Sequence, residues 1–335
     1  MTLLLAIESS CDETACAIIN ENHELLANVV SSQIDTHRLY GGVVPEIASR
    51  LHVENISVVL DQAITNAGIR LEDVDAIAVT KGPGLVGSLH VGLQAAKTLA
   101  LAYHKPLIGV HHIAGHIYAN ALVDTITYPC MALVVSGGHT ELVYMRDTMN
   151  FEVIGTTYDD AIGEAYDKVA RVIGLAYPGG PAIDRLAKTG KHRYDLPKPL
   201  HDKTYNFSFS GLKSAVINLV HNAKQRNEEI IDADLAKSFQ DVAIEVLVDK
   251  TIQACKDYQV KQLVVAGGVA ANSYLRQQTT QGVENELINV KLTIPPLWCC
   301  TDNAAMIASA ALEMYRLKQF SDLNLSCKPM IDLEG

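Results

Sequence analysis

His112 and His116 stand four positions apart, a spacing that puts both imidazoles on one face of a helix. Neutral imidazole is a strong ligand for divalent ions of the zinc and iron type, so the pair reads as part of a metal centre. The competing reading is a capping or core pair at a helix start. The corresponding helix start in the second half of the chain is Cys299-Cys300-Thr301-Asp302-Asn303, and it offers Asp302 as a third ligand facing the histidines across a cleft. Asp302 also suits the N-cap of the last helix. Two histidines and one carboxylate leave coordination positions open, the pattern of a catalytic ion. A zinc peptidase needs a glutamate directly after the first histidine as general base. Ile113 and Ala114 occupy those places, so a metal-dependent peptidase is disfavoured.

The glycine-rich turns point in other directions. Lys81-Gly82-Pro83-Gly84-Leu85-Val86-Gly87 matches a dinucleotide fingerprint, which requires an acid about 20 residues further on to hold the ribose. No Asp or Glu occurs between Gly82 and Val123, and the dinucleotide reading is rejected. Ser136-Gly137-Gly138-His139-Thr140 reads as a hairpin turn whose backbone N–H groups can bind a carboxylate or phosphate. Gly267-Gly268 leading to Asn272 is a strand–glycine–helix junction that admits a nucleotide at a helix N-terminus. Tyr177-Pro178-Gly179-Gly180-Pro181 with Asp184 is similar, and a helix start explains Pro181 and Asp184 structurally. Glu8, Asp12 and Glu13 surround the first hairpin without a glycine. Carboxylates crowded beside a polyphosphate repel it unless a cation intervenes, which disfavours a plain sugar or acetate kinase.

Strand-like apolar runs at 3–8, 15–19 and 25–31 precede a helix at about 45–67. A strand at 74–80, a helix at 85–103, a strand at 107–110 and a helix from about 114 complete the first half. The second half repeats the order: strands at 131–136, 141–145 and 151–154, helices near 161–173 and 182–188, a strand at 262–266, one at 291–294 and a helix at 303–317. Between them lies an insertion with helices near 210–224 and 232–257. This repetition suggests an internal duplication, with two mixed sheets flanked by helices and ligands in the cleft between them. The actin, sugar-kinase and Hsp70-ATPase fold is built this way. The expected division is an N-terminal lobe at 1–128 and a C-terminal lobe at 129–335, the latter with a helical and basic insertion around 185–257.

Hydrophobic residues make up 48% and charged residues 19% of the 335, which excludes disordered and fibrous classes. No apolar run approaches the roughly 18 residues of a membrane span, and nothing before Leu3 resembles a secretory leader. Seven cysteines, an odd number with no C-x-x-C pair, suit reduced thiols in the cytoplasm. The net charge of −11 argues against tight nonspecific nucleic-acid binding. From Arg185 to Lys213, however, seven Lys or Arg meet two acids, with His192 and His201 besides. That segment is either a solvated surface or a local phosphate-facing patch.

Ile7-Glu8-Ser9-Ser10-Cys11-Asp12-Glu13-Thr14, Gly82–Gly87, His112–His116, Ser136–Thr140 and Gly163–Asp167 together carry a resemblance, continued by Tyr177–Pro181, Phe209–Lys213, Gly267–Asn272 and Cys300–Asn303. Over nearly the whole chain they resemble the universal tRNA N6-adenosine threonylcarbamoyltransferases in their bacterial form. The resemblance implies transfer of threonylcarbamoyl from its adenylate, threonylcarbamoyl-AMP, to N6 of adenosine 37, beside the anticodon of tRNAs reading codons that begin with A. It implies one divalent metal ion on His112, His116 and Asp302, iron(II) first with zinc as the alternative. It implies substrate contacts at Ser136, Gly137, Gly138, His139, Thr140, Asp167, Gly180, Asp184 and Asn272. Asp12 and Glu13 match the family's acids important for activity, and His139 and Asp12 are the candidates for taking the amine proton. The implied partners are the tRNA anticodon loop, an inactive paralogous subunit of the same fold and a small P-loop ATPase. Ala114 departs from the glutamate common in that family. A noncatalytic scaffold of the same fold is the alternative, against which an intact ligand set speaks.

Overall fold

A computed structural model describes residues 2–200 and 202–334; His201, counted in the basic segment, lies outside them. Two compact units emerge: Met1–Ile126, Thr148–Asn150 and Trp298–Gly335 form one, Thr127–Asp147 and Phe151–Leu297 the other. The first boundary falls near the expected one. The chain from Trp298 onward, expected in the C-terminal lobe, belongs to the first unit instead.

In the first unit β1 (Leu3–Glu8), β2 (Glu13–Asn20) and β3 (Leu25–Ser32) form an antiparallel meander, and β4 (Ala76–Gly82) and β5 (Leu107–His111) add parallel strands in the order β3-β2-β1-β4-β5. The central strands are continuous apolar runs, buried along their length, as strands covered on both faces must be. Helices α2 (Pro45–Ala67) and α3 (Val86–Ala102) cover one face, following the short α1 (Ile34–Arg38). Leu5 and Ile7 of β1 join Val59, Ala63, Leu93 and Ala96 in that core. Alternation therefore turns Leu4, Ala6 and Glu8 to the opposite face. That face is covered by α4 (His112–Tyr118) and α11 (Ala304–Arg316). Every residue of α11 from Ala304 to Leu312 is buried, and its run of alanines permits close approach to the sheet.

The second unit repeats the plan. β6 (Cys130–Val135), β7 (Thr140–Met145) and β8 (Phe151–Thr156) form the meander, with β9 (Gln262–Ala266) and β10 (Lys291–Thr293) parallel to β6, in the order β10-β9-β6-β7-β8. Read from its other edge this is the order of the first sheet, as a duplication requires. Helices α5 (Ile162–Val172), α6 (Gly179–Ala187), α7 (Ser210–Arg226), α8 (Asp232–Asp257) and α9 (Ser273–Glu286) belong to this unit, and a single turn, α10 (Leu297–Cys300), follows β10. No helix among the described residues is long and apolar enough to cross a membrane.

Gly267 ends β9 at a φ of 91°, and a Cβ there would sit 2.4 Å from the Val135 carbonyl oxygen. Gly137 and Gly138 have open space where a Cβ would go. Gly267→Ala should therefore cost about 1–3 kcal/mol of stability, while Gly137→Ala and Gly138→Ala leave the urea midpoint nearly unmoved. Equal midpoints for all three would contradict this account of the turn.

Candidate metal centre

The site is built around a carboxylate in an apolar strand. Glu8 is fully buried at the end of β1, where an unpaired charge would be costly. Its Oε1 accepts the Ser10 N–H at 2.5 Å, and its Oε2 accepts the Thr80 hydroxyl at 2.6 Å and lies 3.1 Å from His112 Nδ1. Burial alone would raise the Glu8 pKa; the charge and hydrogen bond of His112, with Ser10, more than offset it and hold the group below the usual carboxylate range. Nδ1 of His112 therefore carries the proton and donates to Glu8, which leaves Nε2 to face outward.

Nε2 of His112 lies 3.6 Å, and Nε2 of His116 3.1 Å, from Asp302 Oδ1. The two imidazoles stand edge to face, 4.7 Å between centroids. His112, His116 and Asp302 thus bring one ligand atom each within 4.8 Å of the others. Ligand atoms about 2.0–2.2 Å from one ion in a tetrahedron lie roughly 3.3–3.6 Å apart, so the two separations from Asp302 are close to those of a shared divalent ion. The donor set, two nitrogens and one carboxylate oxygen, suits zinc or iron(II). A carboxylate behind His112 is the usual support for a metal-bound imidazole. His116 Nδ1 is buried with no hydrogen-bond partner among the described residues.

All three ligands belong to one unit. The expectation that Asp302 faces the histidines from the opposite half is corrected: α11 packs on α4 and on the first sheet, carrying Asp302 to the histidines within that unit. Asp302 is not the N-cap either. Asn303 caps α11, its side chain accepting the Met306 N–H at 3.0 Å.

Asp12 and Glu13 share this neighbourhood. Burial, then the negative charges of Asp12 and Asp302, push the Glu13 carboxyl well above its ordinary range. The loop carrying them is pinned by His52, whose Nε2 donates to the Cys11 carbonyl at 3.0 Å while Nδ1 accepts the Thr14 hydroxyl at 2.7 Å. The residue before the ligand pair is also engaged: His111 Nδ1 accepts the Ile113 N–H at 3.1 Å and caps α4. Glu8 as an anchor, His52 and His111 were not singled out from the sequence. The signal for Glu8 was present, an acid closing a wholly apolar strand.

The remaining expected site residues lie in the second unit. Ser136 Oγ accepts the N–H groups of Gly138 and His139 at 3.3 and 3.0 Å, and Thr140 Oγ1 accepts that of Ile162 at 2.9 Å. Much of this turn's polarity therefore shapes the turn itself, which narrows the expected anion-binding role to the Gly137 N–H and the open flank beside the two glycines. Asp167 Oδ1 accepts the Gly179 N–H at 2.7 Å, and Asp184 accepts the Ser273 hydroxyl at 2.9 Å. Asn272 Oδ1 caps α9 through the Leu275 N–H at 2.9 Å, and its Nδ2 donates to Gln240 at 2.9 Å. These bonds tie the Gly179-Gly180 and Gly267-Gly268 turns to their helices. No Cβ contact forbids a side chain at Gly180 or Gly268, so their bare backbones suit close approach by a ligand.

The basic segment is less free than its composition suggests. Arg193 pairs with Asp234 at 2.7 Å, Lys198 with Glu245 at 2.6 Å, Lys213 with Asp160 at 2.6 Å and Lys188 with Asp184 at 3.6 Å, while His192 meets Asp241 at 2.9 Å. Acids of α8 supply most of these partners. Arg185, Lys191 and Lys203 are exposed and make no ion pair among the described residues.

Burial disfavours a charged His112, yet Asp302 and Glu8 outweigh it and raise its pKa to about 9. Below that pH the metal-free protein holds an imidazolium whose Nε2 proton must leave before an ion can bind there. Zinc uptake at pH 7.5 should therefore release about one proton, and affinity should climb as pH rises toward 9. Calorimetry in buffers of different ionisation enthalpy measures this; zero proton release would exclude His112 Nε2 as a ligand atom.

A model of the family described as tRNA N6-adenosine threonylcarbamoyltransferase matches residues 24–309. A tRNA N6-adenosine threonylcarbamoyltransferase of Staphylococcus aureus (strain bovine RF122 / ET3-1) is 57% identical over 333 residues, 99% of this chain and 97% of that protein. One from Staphylococcus carnosus (strain TM300) is 56% identical over 334 residues, with the same coverage. Among solved structures, component A of (R)-2-hydroxyglutaryl-CoA dehydratase from Acidaminococcus fermentans aligns with a TM-score of 0.54 at 14% identity, over 95% of this chain and 98% of that one. T. kodakarensis HypF aligns at 0.62 and 13% identity, over 97% of this chain and 49% of that one. These two likenesses establish the duplicated actin-like α/β fold alone. The extent and level of the sequence matches establish more: the chain belongs to the tRNA N6-adenosine threonylcarbamoyltransferases, a family of acyltransferases.

Proposed function

We propose that this chain moves the threonylcarbamoyl group of threonylcarbamoyl-AMP onto N6 of adenosine 37 in tRNAs reading codons that begin with A, releasing AMP. The observation that carries the reading is the ligand set of His112, His116 and Asp302, braced from behind by Glu8. One divalent ion, iron(II) in preference to zinc, would be held there and would supply Lewis acidity toward the carbonyl under attack. The remaining tasks fall to the chain's own groups. Glu8 fixes which His112 nitrogen faces outward. Glu13, its carboxyl pushed toward the protonated form by burial and by Asp12 and Asp302, can donate a hydrogen bond to substrate oxygen. The Gly137 N–H and the open turns at Gly180 and Gly268 suit the adenylate. Attack by N6 forms the new C–N bond as the acyl–phosphate C–O bond breaks, AMP taking that electron pair. The N6 proton passes to Asp12 or His139.

The adenosine is reached in a loop, where bases splay out of the stack. The tRNA anticodon loop, an inactive paralogous subunit of the same fold and a small P-loop ATPase are the proposed partners, and the cytoplasm the proposed compartment. All seven cysteines are free thiols, in keeping with a reducing environment. Peptidase chemistry is again disfavoured, since buried Ala114 stands next to Ile113 where the general base of such enzymes would follow the first histidine. A pure scaffold has no use for three converging ligands.

His112→Ala and Asp302→Ala should each abolish formation of the modified nucleoside, assayed by mass with tRNA and synthetic threonylcarbamoyl-AMP, while the circular dichroism spectrum is retained. Full activity in either variant, after metal stripping, would end the Lewis-acid reading. Replacing Arg185, Lys191 and Lys203 together with Ala should weaken tRNA binding and flatten its salt dependence by about one unit per lost phosphate contact. An unchanged slope would remove that surface from the interface.

A further inference from the structure

The tail of the chain runs back over the first unit and reaches the residue that precedes His112. Ser321 N–H donates to the Leu107 carbonyl at 2.8 Å, and Ser321 Oγ accepts the Gly109 N–H at 3.1 Å. Leu325 fills the space beside Gly109, where a Cβ would meet its side chain at 2.7 Å. Lys328 N–H donates to the Lys81 carbonyl at 2.9 Å, and the Gly84 N–H donates to the Pro329 carbonyl at 3.1 Å. A Cβ on Gly82 would lie 2.1 Å from the Lys328 carbonyl oxygen, so the glycine turn is shaped to receive this segment. Last, His111 Nε2 lies 3.1 Å from the Ile331 carbonyl oxygen.

The His111 bonds determine one another. Because Nδ1 accepts the Ile113 N–H, it carries no proton, and the proton sits on Nε2, the atom that meets Ile331. An imidazole tied at both nitrogens fixes the first turn of α4, and that turn begins with His112. A second route leads to the same ligand. The Leu85 N–H donates to the Ser10 carbonyl at 2.7 Å, and Ser10 Oγ lies 3.2 Å from His112 Nδ1. Both routes start at the tail and finish on one imidazole.

We propose that residues 321–331 form a strap that positions the metal-ligating helix, with His111 as the positioning residue through which the Ile331 carbonyl acts. The inference rests on the metal reading given above. The strap contributes no ligand; it restricts the direction in which the first ligand points, and hence the affinity of the centre.

Cobalt(II) added to metal-free protein is the probe, since its absorption reports both binding and ligand geometry. His111→Asn keeps a cap acceptor for the Ile113 N–H but is too short to reach Ile331. A chain ending at Met330 keeps His111 and loses the acceptor. Each should weaken cobalt binding about tenfold and alter the cobalt spectrum, with the thermal midpoint of the metal-free protein unchanged. The double variant should be no weaker than either single one, because both break the same bond. Unchanged affinity in both variants, or a double variant weakened by the product of the two effects, would overturn the strap. Asp302→Ala serves as the reference. If it leaves wild-type cobalt affinity intact, the metal reading falls and the strap with it; if it abolishes binding while the strap variants bind normally, only the strap falls.

Discussion

The burial of one carboxylate organises this protein. An ionised group at the end of an apolar strand is tolerated only where donors surround it, because the desolvation cost is several kcal/mol. Glu8 meets that condition with three elements at once: the Ser10 amide in the loop after β1, the Thr80 hydroxyl on β4, and the His112 imidazole at the start of α4. Each donor belongs to a different part of the chain, so satisfying the charge also sets the spacing among them. The outward nitrogen of His112 is a by-product of that constraint. The orientation of His112 is thus set by an interaction on the far side of the ring from Asp302.

The two sheets share one strand order, and comparing their hairpins shows how the halves diverged. Glu8 pairs with Ala15 across the first hairpin, and Val135 with Thr140 across the second. An acid closes one strand and a valine the other. Both loops are four residues long: the first ends in Asp12, with Glu13 opening β2, and the second is built from Ser136, Gly137, Gly138 and His139. Charge is gathered in one copy, and bare backbone is presented in the other. The same scaffold therefore carries a cluster of carboxylates beside two imidazoles in one copy and an open glycine turn in the other.

Much of this was legible beforehand. The strands announced themselves as apolar runs, spacing singled out His112 and His116, and the repeated element order pointed to Asp302 while assigning it to the wrong unit. What the sequence could not reveal was which sheet the last helix covers. Residues Ala304 to Leu312 are buried all round, so no polar face indicates a direction, and chain order alone suggested the second half. The basic segment misled for a related reason. Its partners Asp234, Asp241 and Glu245 lie some 40–50 residues away on α8, a pairing that composition cannot foresee. Short elements such as α1 and α10 have too few residues for periodicity to mark them.

The return of α11 to the first unit has a bearing on how the protein is made. The second unit is almost continuous in the chain, whereas the first is completed only by residues from Trp298 onward. A ribosome adding roughly 5–20 residues per second needs about 10–40 s to travel from His116 to Asp302. Throughout that interval the nascent polypeptide carries two imidazoles without their carboxylate, and β1 and β2 without the helix that shields them. The cluster of His112, His116 and Asp302 can therefore be completed only after Asp302 has been made, whereas the second unit is free to mature earlier.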